Sequence, residues 1–178
     1  MKYLNKIIFV NSANIPYAEI SVDGNVHFTG TQGVGKSTVL RALLFFYNAD
    51  KHRLGIQQAQ KSFDEFYFRQ SNSYILYEVM RDNEAYTILV SRYQGRASWR
   101  FIDAPYQREW IIGEDKQVLS DWVKIRERID KNVSVSAMSS LCLLSSLMHA
   151  SSFLFRFIQR TSRHKHRVWV VVRQRCGM

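Results

Sequence analysis

Eight residues near the N-terminus constrain this chain more than any other feature. The segment G-T-Q-G-V-G-K-S, from Gly30 to Ser37, fits the pattern G-x-x-x-x-G-K-S. An apolar strand segment, V-H-F, precedes the pattern, and a segment with helical apolar spacing follows it. A strand, a glycine-rich turn and a helix in this order are the context in which the pattern binds a phosphate chain. The local sequence therefore predicts a nucleotide-binding loop rather than a glycine-rich turn that only caps a helix.

The residue types in this loop match what a triphosphate requires. Glycines carry no Cβ, so backbone N–H groups can approach phosphate oxygens and left-handed backbone angles become available. Lys36 supplies a positive charge for the β and γ phosphates, and Ser37 supplies a hydroxyl ligand for Mg²⁺. The dipole of the following helix points at the same anion. The residues predicted to bind ATP are Gly30, Thr31, Gln32, Gly33, Val34, Gly35, Lys36, Ser37 and Thr38, with Ser37 also binding Mg²⁺.

Charge is unevenly distributed along the 178 residues. Residues 1–130 contain 17 Lys and Arg and all 15 acidic residues, a net charge of +2, whereas residues 131–178 contain eight basic and no acidic residues. The overall charge of +10 is therefore mainly a property of the C-terminal segment and does not by itself indicate nucleic-acid binding. The two cysteines fit neither a metal site nor a disulfide framework, and the N-terminus lacks a signal peptide core, so we expect a cytoplasmic protein.

The change in composition predicts two segments, a folded lobe at residues 1–130 and a basic Ser-, Leu- and Arg-rich tail at residues 131–178. Residues 132–155 contain no Asp, Glu, Lys or Arg but eight serines. Three interpretations of the tail are open. It is a membrane helix, a packed helix and strand with V-W-V-V-V as the strand, or a segment that is not native to the domain. A shifted reading frame would explain the abrupt loss of acidic residues.

The first segment reads as an α/β lobe with an antiparallel meander. Asp23-Gly24 predicts a hairpin, and Asp82-Asn83 and Gln94-Gly95 predict the turns of the meander. The helix after the glycine-rich loop has an apolar side formed by Val39, Leu40, Leu43, Leu44 and Tyr47. The predicted strands are residues 6–11, 17–22, 25–29, 73–81, 85–92 and 98–103, and the predicted helices are residues 36–47 and 119–129.

This order of elements resembles the N-terminal lobe of ABC-type ATPase heads of the SMC-like family, in particular MukB-like and Wadjet-type SMC ATPases. The resemblance covers about residues 1–130 and rests on residues 30–38 with their flanking strand and helix; Gln32 stands where relatives often carry Asn. It implies a P-loop NTPase fold of the α/β class, with an ABC-type N-terminal lobe, an antiparallel β meander and a Walker A helix. It also implies that two heads enclose two ATP molecules and that hydrolysis drives work on DNA.

The other catalytic groups of that family lie in a C-terminal lobe beyond a long coiled coil. The sequence contains no signature motif, no heptads and no clear Walker B segment. Glu78 reads as a solvated strand residue, and Asp103 follows only two apolar residues. We therefore expect a truncated or partner-dependent half-site that binds ATP with little or no hydrolysis alone. The alternatives are a self-contained P-loop kinase or NTPase that uses Glu78 or Asp103, and a membrane-tethered nucleotide-binding module.

Three further groups of residues suggest surfaces or core. Arg92, Arg96 and Arg100 surround one predicted turn, where they either contact DNA phosphates or form a solvated hairpin edge. The aromatic segment F-D-E-F-Y-F, residues 63–68, is predicted to pack in the core rather than to form a docking surface. Tyr17 is a candidate for stacking on adenine.

Overall fold

The computed structural model describes residues 2–48, 62–119, 121–138, 158–161 and 168–172. Within these residues one six-stranded sheet has the order β2-β1-β4-β5-β6-β7, and one three-stranded sheet has the order β3-β9-β8. All neighbouring strands are antiparallel. The strands are β1 Lys2–Ser12, β2 Ile15–Ser21, β3 Val26–Phe28, β4 Tyr74–Arg81, β5 Glu84–Tyr93, β6 Arg96–Ile102, β7 Val135–Met138, β8 Ile158–Thr161 and β9 Val168–Val172; the helices are α1 Lys36–Asn48, α2 Phe63–Tyr67 and α3 Trp122–Arg128, and Arg108–Trp110 forms a 3₁₀ turn.

Helices cover both faces of the six-stranded sheet. On one side, which we call the α1 face, Phe9 and Val90 pack with residues of α1 and α2. On the other side, the α3 face, Val10 and Leu89 pack with α3 and the 3₁₀ turn. Successive side chains of a strand point to opposite faces, so a strand covered on both sides is apolar at successive positions. Strand β4 is accordingly buried at its first six positions.

Helix α1 is buried around most of its circumference rather than along the one side that the sequence predicted. Phe45 and Phe46 are each 1% exposed, whereas Leu44 and Tyr47, predicted for the buried side, are only partly buried. The reason is that α1 packs between two elements. The ring of Phe45 stacks on Phe63 of α2 at a centroid distance of 4.0 Å, while the sheet covers the helix from the other side.

The predicted antiparallel meander is confirmed as β4, β5 and β6. Asp82 and Asn83 join the first pair with φ values of 50° and 70°, and Gln94 and Gly95 join the second pair with φ values of 49° and 81°. Two consecutive positive φ values are the geometry of the tight two-residue hairpin turn that matches the twist of the strands.

The predicted hairpin around Asp23-Gly24 is wrong. Strand β2 pairs with β1, and β3 pairs with β9 in the other sheet. Neither Asp23 nor Gly24 has a φ in the left-handed region, so this segment bends without making a tight hairpin turn. The true hairpin turn precedes β2 at Ala13-Asn14, where Ala13 has a φ of 55°.

Helix α3 is shorter than the predicted residues 119–129. The helix begins after Asp121, whose carboxylate accepts a hydrogen bond from the backbone N–H of Val123 at 2.9 Å. Leu119 lies ahead of the helix, and its carbonyl oxygen accepts a hydrogen bond from the Tyr74 hydroxyl at 2.8 Å. A side-chain cap at Asp121 therefore sets the start of the helix three residues later than the apolar spacing predicted.

Parts of the predicted tail belong to the two sheets. Strand β7 pairs with β6, so the six-stranded sheet continues past residue 130, and the segment V-W-V-V-V forms β9. The division of the chain at residue 130 and the shifted reading frame stay predictions. Residues 139–155, on which the membrane interpretation mainly depends, lie outside the described residues. In the ranges that the structure describes, no helix is both long and apolar enough to cross a membrane.

Candidate nucleotide-binding site

The predicted nucleotide loop, residues 30–35, connects the end of β3 to the beginning of α1. Helix α1 begins at Lys36, and the N–H of Val39 donates to the carbonyl oxygen of Gly35 at 3.1 Å. The N–H groups of the first helical turn have no partners within the helix and carry the positive end of its dipole. The loop therefore lies beside the unpaired backbone donors and the positive end of the helix dipole, a setting that suits an anion.

Three glycines give the loop its backbone path. The φ values are 146° at Gly30, 89° at Gly33 and 93° at Gly35, all in the region that L-residues rarely adopt. A Cβ at Gly30 would also lie 2.9 Å from Cγ2 of Val34. Glycine is thus required by the backbone at each of the three positions, which agrees with the sequence pattern.

Replacing Gly35 by alanine is expected to lower the free energy of unfolding by about 1–2 kcal/mol, because a left-handed backbone angle costs that much for a residue with a Cβ. No atom lies within 4 Å of the position that a Cβ would take at Gly35, so the cost comes from the backbone angle alone. Gly24→Ala is the matched control, since Gly24 has the same free space and an ordinary φ. Urea unfolding measures both variants. Equal destabilisation by the two substitutions would contradict a strained loop.

Lys36 ties the two ends of the loop together. Its Nζ donates hydrogen bonds to the carbonyl oxygens of Gly30 at 2.7 Å and Thr31 at 2.6 Å. The ammonium group therefore lies across the loop. Phosphate oxygens are stronger acceptors than carbonyl oxygens because they are charged. The position of Lys36 suits an exchange of these carbonyl partners for phosphate oxygens.

The loop is open to solvent. Thr31, Gln32, Gly33 and Ser37 are exposed or partly exposed, and Val34 is 60% exposed. An accessible hydroxyl at Ser37 suits Mg²⁺, which keeps several water ligands when it binds with a nucleotide. Among the described residues, no three His, Cys, Asp or Glu side chains form a metal-binding group. Within residues 30–38 the oxygen ligands on offer to a metal are hydroxyl, amide and backbone oxygens.

Two tyrosine hydroxyls hold the helix that carries Lys36. Tyr67 of α2 donates to the carbonyl oxygen of Thr38 at 2.6 Å, and Tyr77 of β4 donates to that of Ala42 at 2.8 Å. Burial raises the pKa of both tyrosines, so both hydroxyls stay protonated donors at neutral pH. Sequence reasoning placed residues 63–68 in the core, which is confirmed by the burial of Tyr67. The direction of its hydroxyl had no signal in the sequence.

Glu78 lies on the α3 face. Its preceding apolar residues make it the carboxylate that most resembles a Walker B residue in sequence. It is 5% exposed, so its prediction as a solvated residue is wrong. One carboxylate oxygen accepts from Nδ2 of Asn5 at 2.7 Å and lies 3.9 Å from Nζ of Lys6, and the other accepts from the backbone N–H of Tyr106 at 3.0 Å. Since the neighbouring Tyr77 contacts α1, the sheet separates Glu78 from α1 and from the loop at its start.

Tyr17 and Asp103 are likewise not brought to the loop. Tyr17 packs on the α3 face, where its hydroxyl donates to Glu19 and the guanidinium carbon of Arg108 lies 4.6 Å from its ring centroid. Burial raises the pKa of Tyr17, and its hydrogen bond to Glu19 raises it further. Asp103 is exposed at the end of β6, and its N–H donates to the carbonyl oxygen of Ser134. Neither residue forms a hydrogen bond or ion pair with loop residues in the part of the chain that the structure describes.

The three arginines predicted around one turn differ in exposure to solvent. Arg92 and Arg96 are exposed on either side of the β5–β6 turn. Arg100 points to the α3 face, where its guanidinium carbon lies 4.3 Å from the ring centroid of Trp122 and Nη1 donates to Ser91 at 3.2 Å. Partial burial lowers the pKa of Arg100. Only Arg92 and Arg96 of the three are therefore available to an external anion.

Comparison with known proteins places this arrangement in one family. Residues 14–138 match the model of a family described as a protein of unknown function, DUF3584. No curated protein and no solved structure matches the chain. The matched range contains the nucleotide loop, α1 and the strands from β2 to β7. Because this range is well over half of the 178 residues, the chain belongs to the DUF3584 family.

Proposed function

We propose that the protein binds Mg²⁺-ATP through residues 30–38 as one half of a nucleotide site. The observation that carries this proposal is the loop itself. It combines three glycines at left-handed φ values, a lysine that bridges the loop and a helix that begins at the same place. These are the parts from which a phosphate cradle is built.

We further propose that this half-site belongs to a cytoplasmic, SMC-like ATPase head of the ABC type that acts on DNA, with the fold of a P-loop NTPase. The resemblance of residues 1–130 to such heads supports this assignment, together with the order of hairpin, loop, helix and meander. The complementary C-terminal lobe, or a second head, is the partner that the proposal requires.

Hydrolysis by the chain alone is not part of the proposal. Hydrolysis requires groups that position Mg²⁺ and orient the attacking water. Glu78 lies on the face of the sheet opposite α1, where Asn5 and Tyr106 hold its carboxylate. The exposed loop fits a site that a second surface covers. This geometry gives no support to a self-contained kinase that uses Glu78 as its metal ligand.

Titration of fluorescent ATP into the full chain, followed by a phosphate-release assay, tests the proposal. We expect saturable binding that is strengthened by Mg²⁺, with no turnover above a protein-free blank. Unlabelled ADP and ATP should compete well with fluorescent ATP and AMP poorly, because the lysine of this motif binds the β and γ phosphates. Absence of binding at millimolar ATP would contradict the nucleotide site, whereas steady turnover would contradict the half-site.

A further inference from the structure

The topology of the six-stranded sheet brings three connecting segments to one end of it. Val10 lies opposite both Tyr17 and Tyr74, and Tyr74 lies opposite Ser91. The β1–β2 turn, the segment that leads into β4 and the β5–β6 turn are therefore neighbours. Ser73 Oγ also donates to the carbonyl oxygen of Asn11 at 2.6 Å. We call this surface, formed by residues 11–16, 69–73 and 91–98, the basic end.

The basic end contains only positive charge. Its 19 residues include Arg69, Arg92 and Arg96 and no Asp or Glu. The opposite end of the sheet carries Asp82 and Glu84 at the β4–β5 turn and Asp103 after β6, with Lys2 and Arg81 among them. The net charge of +2 of residues 1–130 thus conceals a separation of charge between the two ends of the sheet. A concentrated positive surface attracts polyanions.

The β5–β6 turn presents the exposed groups of the basic end in a fixed arrangement. Arg92 and Arg96 are exposed and form no ion pair within the described residues, and Tyr93 between them is 60% exposed. Tyr93 and Arg96 pair across the two-residue turn and share one side of this tight hairpin, whereas Arg92, opposite Ala97, lies on the other side, so a guanidinium group stands on each side of the turn. Because the strands hold these side chains at set positions, a ligand orders little additional backbone on binding.

Acidic side chains at the starts of the flanking helices α2 and α3 cap those helices. The carboxylate of Glu65 accepts from the backbone N–H of Ser62 at the start of α2, and that of Asp121 accepts from Val123 at the start of α3. Around the arginines the side chains that reach solvent include the amides of Asn14, Gln70 and Gln94. An anionic ligand rich in hydrogen-bond acceptors fits this surface better than an apolar one.

We propose that the basic end binds nucleic acid, with Arg92 and Arg96 on phosphates and Tyr93 stacked on an unpaired base. Guanidinium groups bind phosphate through paired, charge-assisted hydrogen bonds, and such contacts do not depend on base sequence. An exposed aromatic ring adds stacking only where a base is free of its partner, so a single strand binds more tightly than a duplex. This inference deepens the DNA association in the proposed function and rests on it for the biological role, but binding here requires no ATP.

The test measures fluorescence anisotropy of labelled oligonucleotides with the full chain in the absence of ATP. Single-stranded and duplex probes of about 20 nucleotides are titrated between about 50 and 200 mM salt. The variant is Arg92→Gln with Arg96→Gln. The matched control is Arg81→Gln with Lys131→Gln, which removes the same charge from exposed residues away from the basic end. The strongly basic segment after residue 131 is present in the unmodified chain and in all variants, so its contribution is common to all measurements.

We expect the arginine pair variant to bind single strands roughly tenfold more weakly than the matched control, with a salt slope reduced by about 1.4 for two lost phosphate contacts. Tyr93→Ala should weaken single-strand binding by roughly tenfold and leave duplex binding unchanged. Arg92→Lys with Arg96→Lys retains the charge and should retain the salt slope. All variants keep Gln94-Gly95, and unchanged thermal midpoints verify the hairpin.

Equal affinity of the arginine pair variant and its matched control would overturn the proposal, as would absence of binding by the unmodified chain. Tighter binding to vesicles rich in phosphatidylserine, lost with the same two arginines, would replace nucleic acid by a membrane surface. Failure of ATP binding in the separate titration leaves these measurements untouched, so the two proposals fail independently.

Discussion

Replacing Lys36 by alanine is expected to weaken the binding of Mg²⁺-ATP by about 100-fold, equivalent to about 3 kcal/mol. A hydrogen bond to a charged group contributes about 1.5–3 kcal/mol, and Lys36 offers its ammonium group to two phosphates. The substitution also removes the bridge from Nζ to the carbonyl oxygens of Gly30 and Thr31, which lie 2.7 Å and 2.6 Å away. The loop then loses a positive charge and the contact that ties its two ends. Competition against fluorescent ATP measures the change.

Lys124→Ala is the matched control for Lys36→Ala. Lys124 is an exposed residue of α3, a helix on the face of the sheet opposite α1, so its replacement removes the same charge without touching the loop. We expect Lys124→Ala to bind ATP like the unmodified chain. Similar losses in the two variants would indicate that the nucleotide is held by overall charge and would contradict the assigned loop. Urea unfolding of Lys36→Ala should show a change within about 1 kcal/mol, since its carbonyl partners lie in an exposed loop.

Replacing Phe45 by alanine is expected to lower the free energy of unfolding by about 3–5 kcal/mol. Phe45 is 1% exposed and stacks on Phe63 at 4.0 Å and on Trp99 at 4.9 Å between ring centroids. The ring thus joins α1, α2 and the sheet, and alanine would leave a cavity that three elements line. A domain is typically stable by only about 5–15 kcal/mol, so the loss is a large fraction of the total.

Urea unfolding measures the effect of Phe45→Ala, with Val123→Ala as the control. Val123 is 59% exposed on α3, and its truncation should change stability by less than about 0.5 kcal/mol. Phe45→Leu retains most of the volume and should fall between the two, which keeps the comparison informative if the alanine variant does not fold. A loss of less than about 1 kcal/mol in Phe45→Ala would contradict a shared aromatic core at this position.

The features that sequence predicted well are those that neighbouring residues decide. The turns at Asp82-Asn83 and Gln94-Gly95 required positive φ values, which Asn and Gly accept at low cost, and both turns are present. The glycines of the nucleotide loop required the same freedom. In each case the residue type and the local backbone angle are linked by sterics that operate within two or three residues.

The features that sequence missed depend on distant parts of the chain. Glu78 resembled a solvated strand residue because its partners are not near it in sequence. The Nδ2 donor of Asn5 lies 73 residues before it, and the N–H of Tyr106 lies 28 residues after it. The pairing of β2 with β1 likewise depends on which strand edges are free in the folded sheet. Asp23-Gly24 has the residue types of a hairpin turn, but the strands on either side of it pair with other strands.

Position along β6, and not alternation, distinguishes the partly buried arginine from the exposed one, because Arg96 and Arg100 lie on the same side of the strand. Arg100 lies on the same side as Ile102, a buried residue two positions later. Arg100 accordingly stacks on Trp122, whereas Arg96 at the start of the strand is exposed. The sequence therefore carried a signal for the orientation of Arg100, namely the apolar residue two positions after it.

Tyr67 connects the two proposed binding surfaces through hydrogen bonds at both ends of the residue. Its hydroxyl donates to Thr38 beside the nucleotide loop, while its carbonyl oxygen accepts from the N–H of Ala13 at 3.2 Å and from the hydroxyl of Ser12 at 3.0 Å. Ser12 and Ala13 belong to the basic end. A single buried residue thus spans from the start of α1 to the β1–β2 turn and fixes the distance between them. A shift of α1 relative to the sheet would therefore strain either the hydrogen bond from Tyr67 to Thr38 or the hydrogen bonds that Tyr67 accepts from the β1–β2 turn.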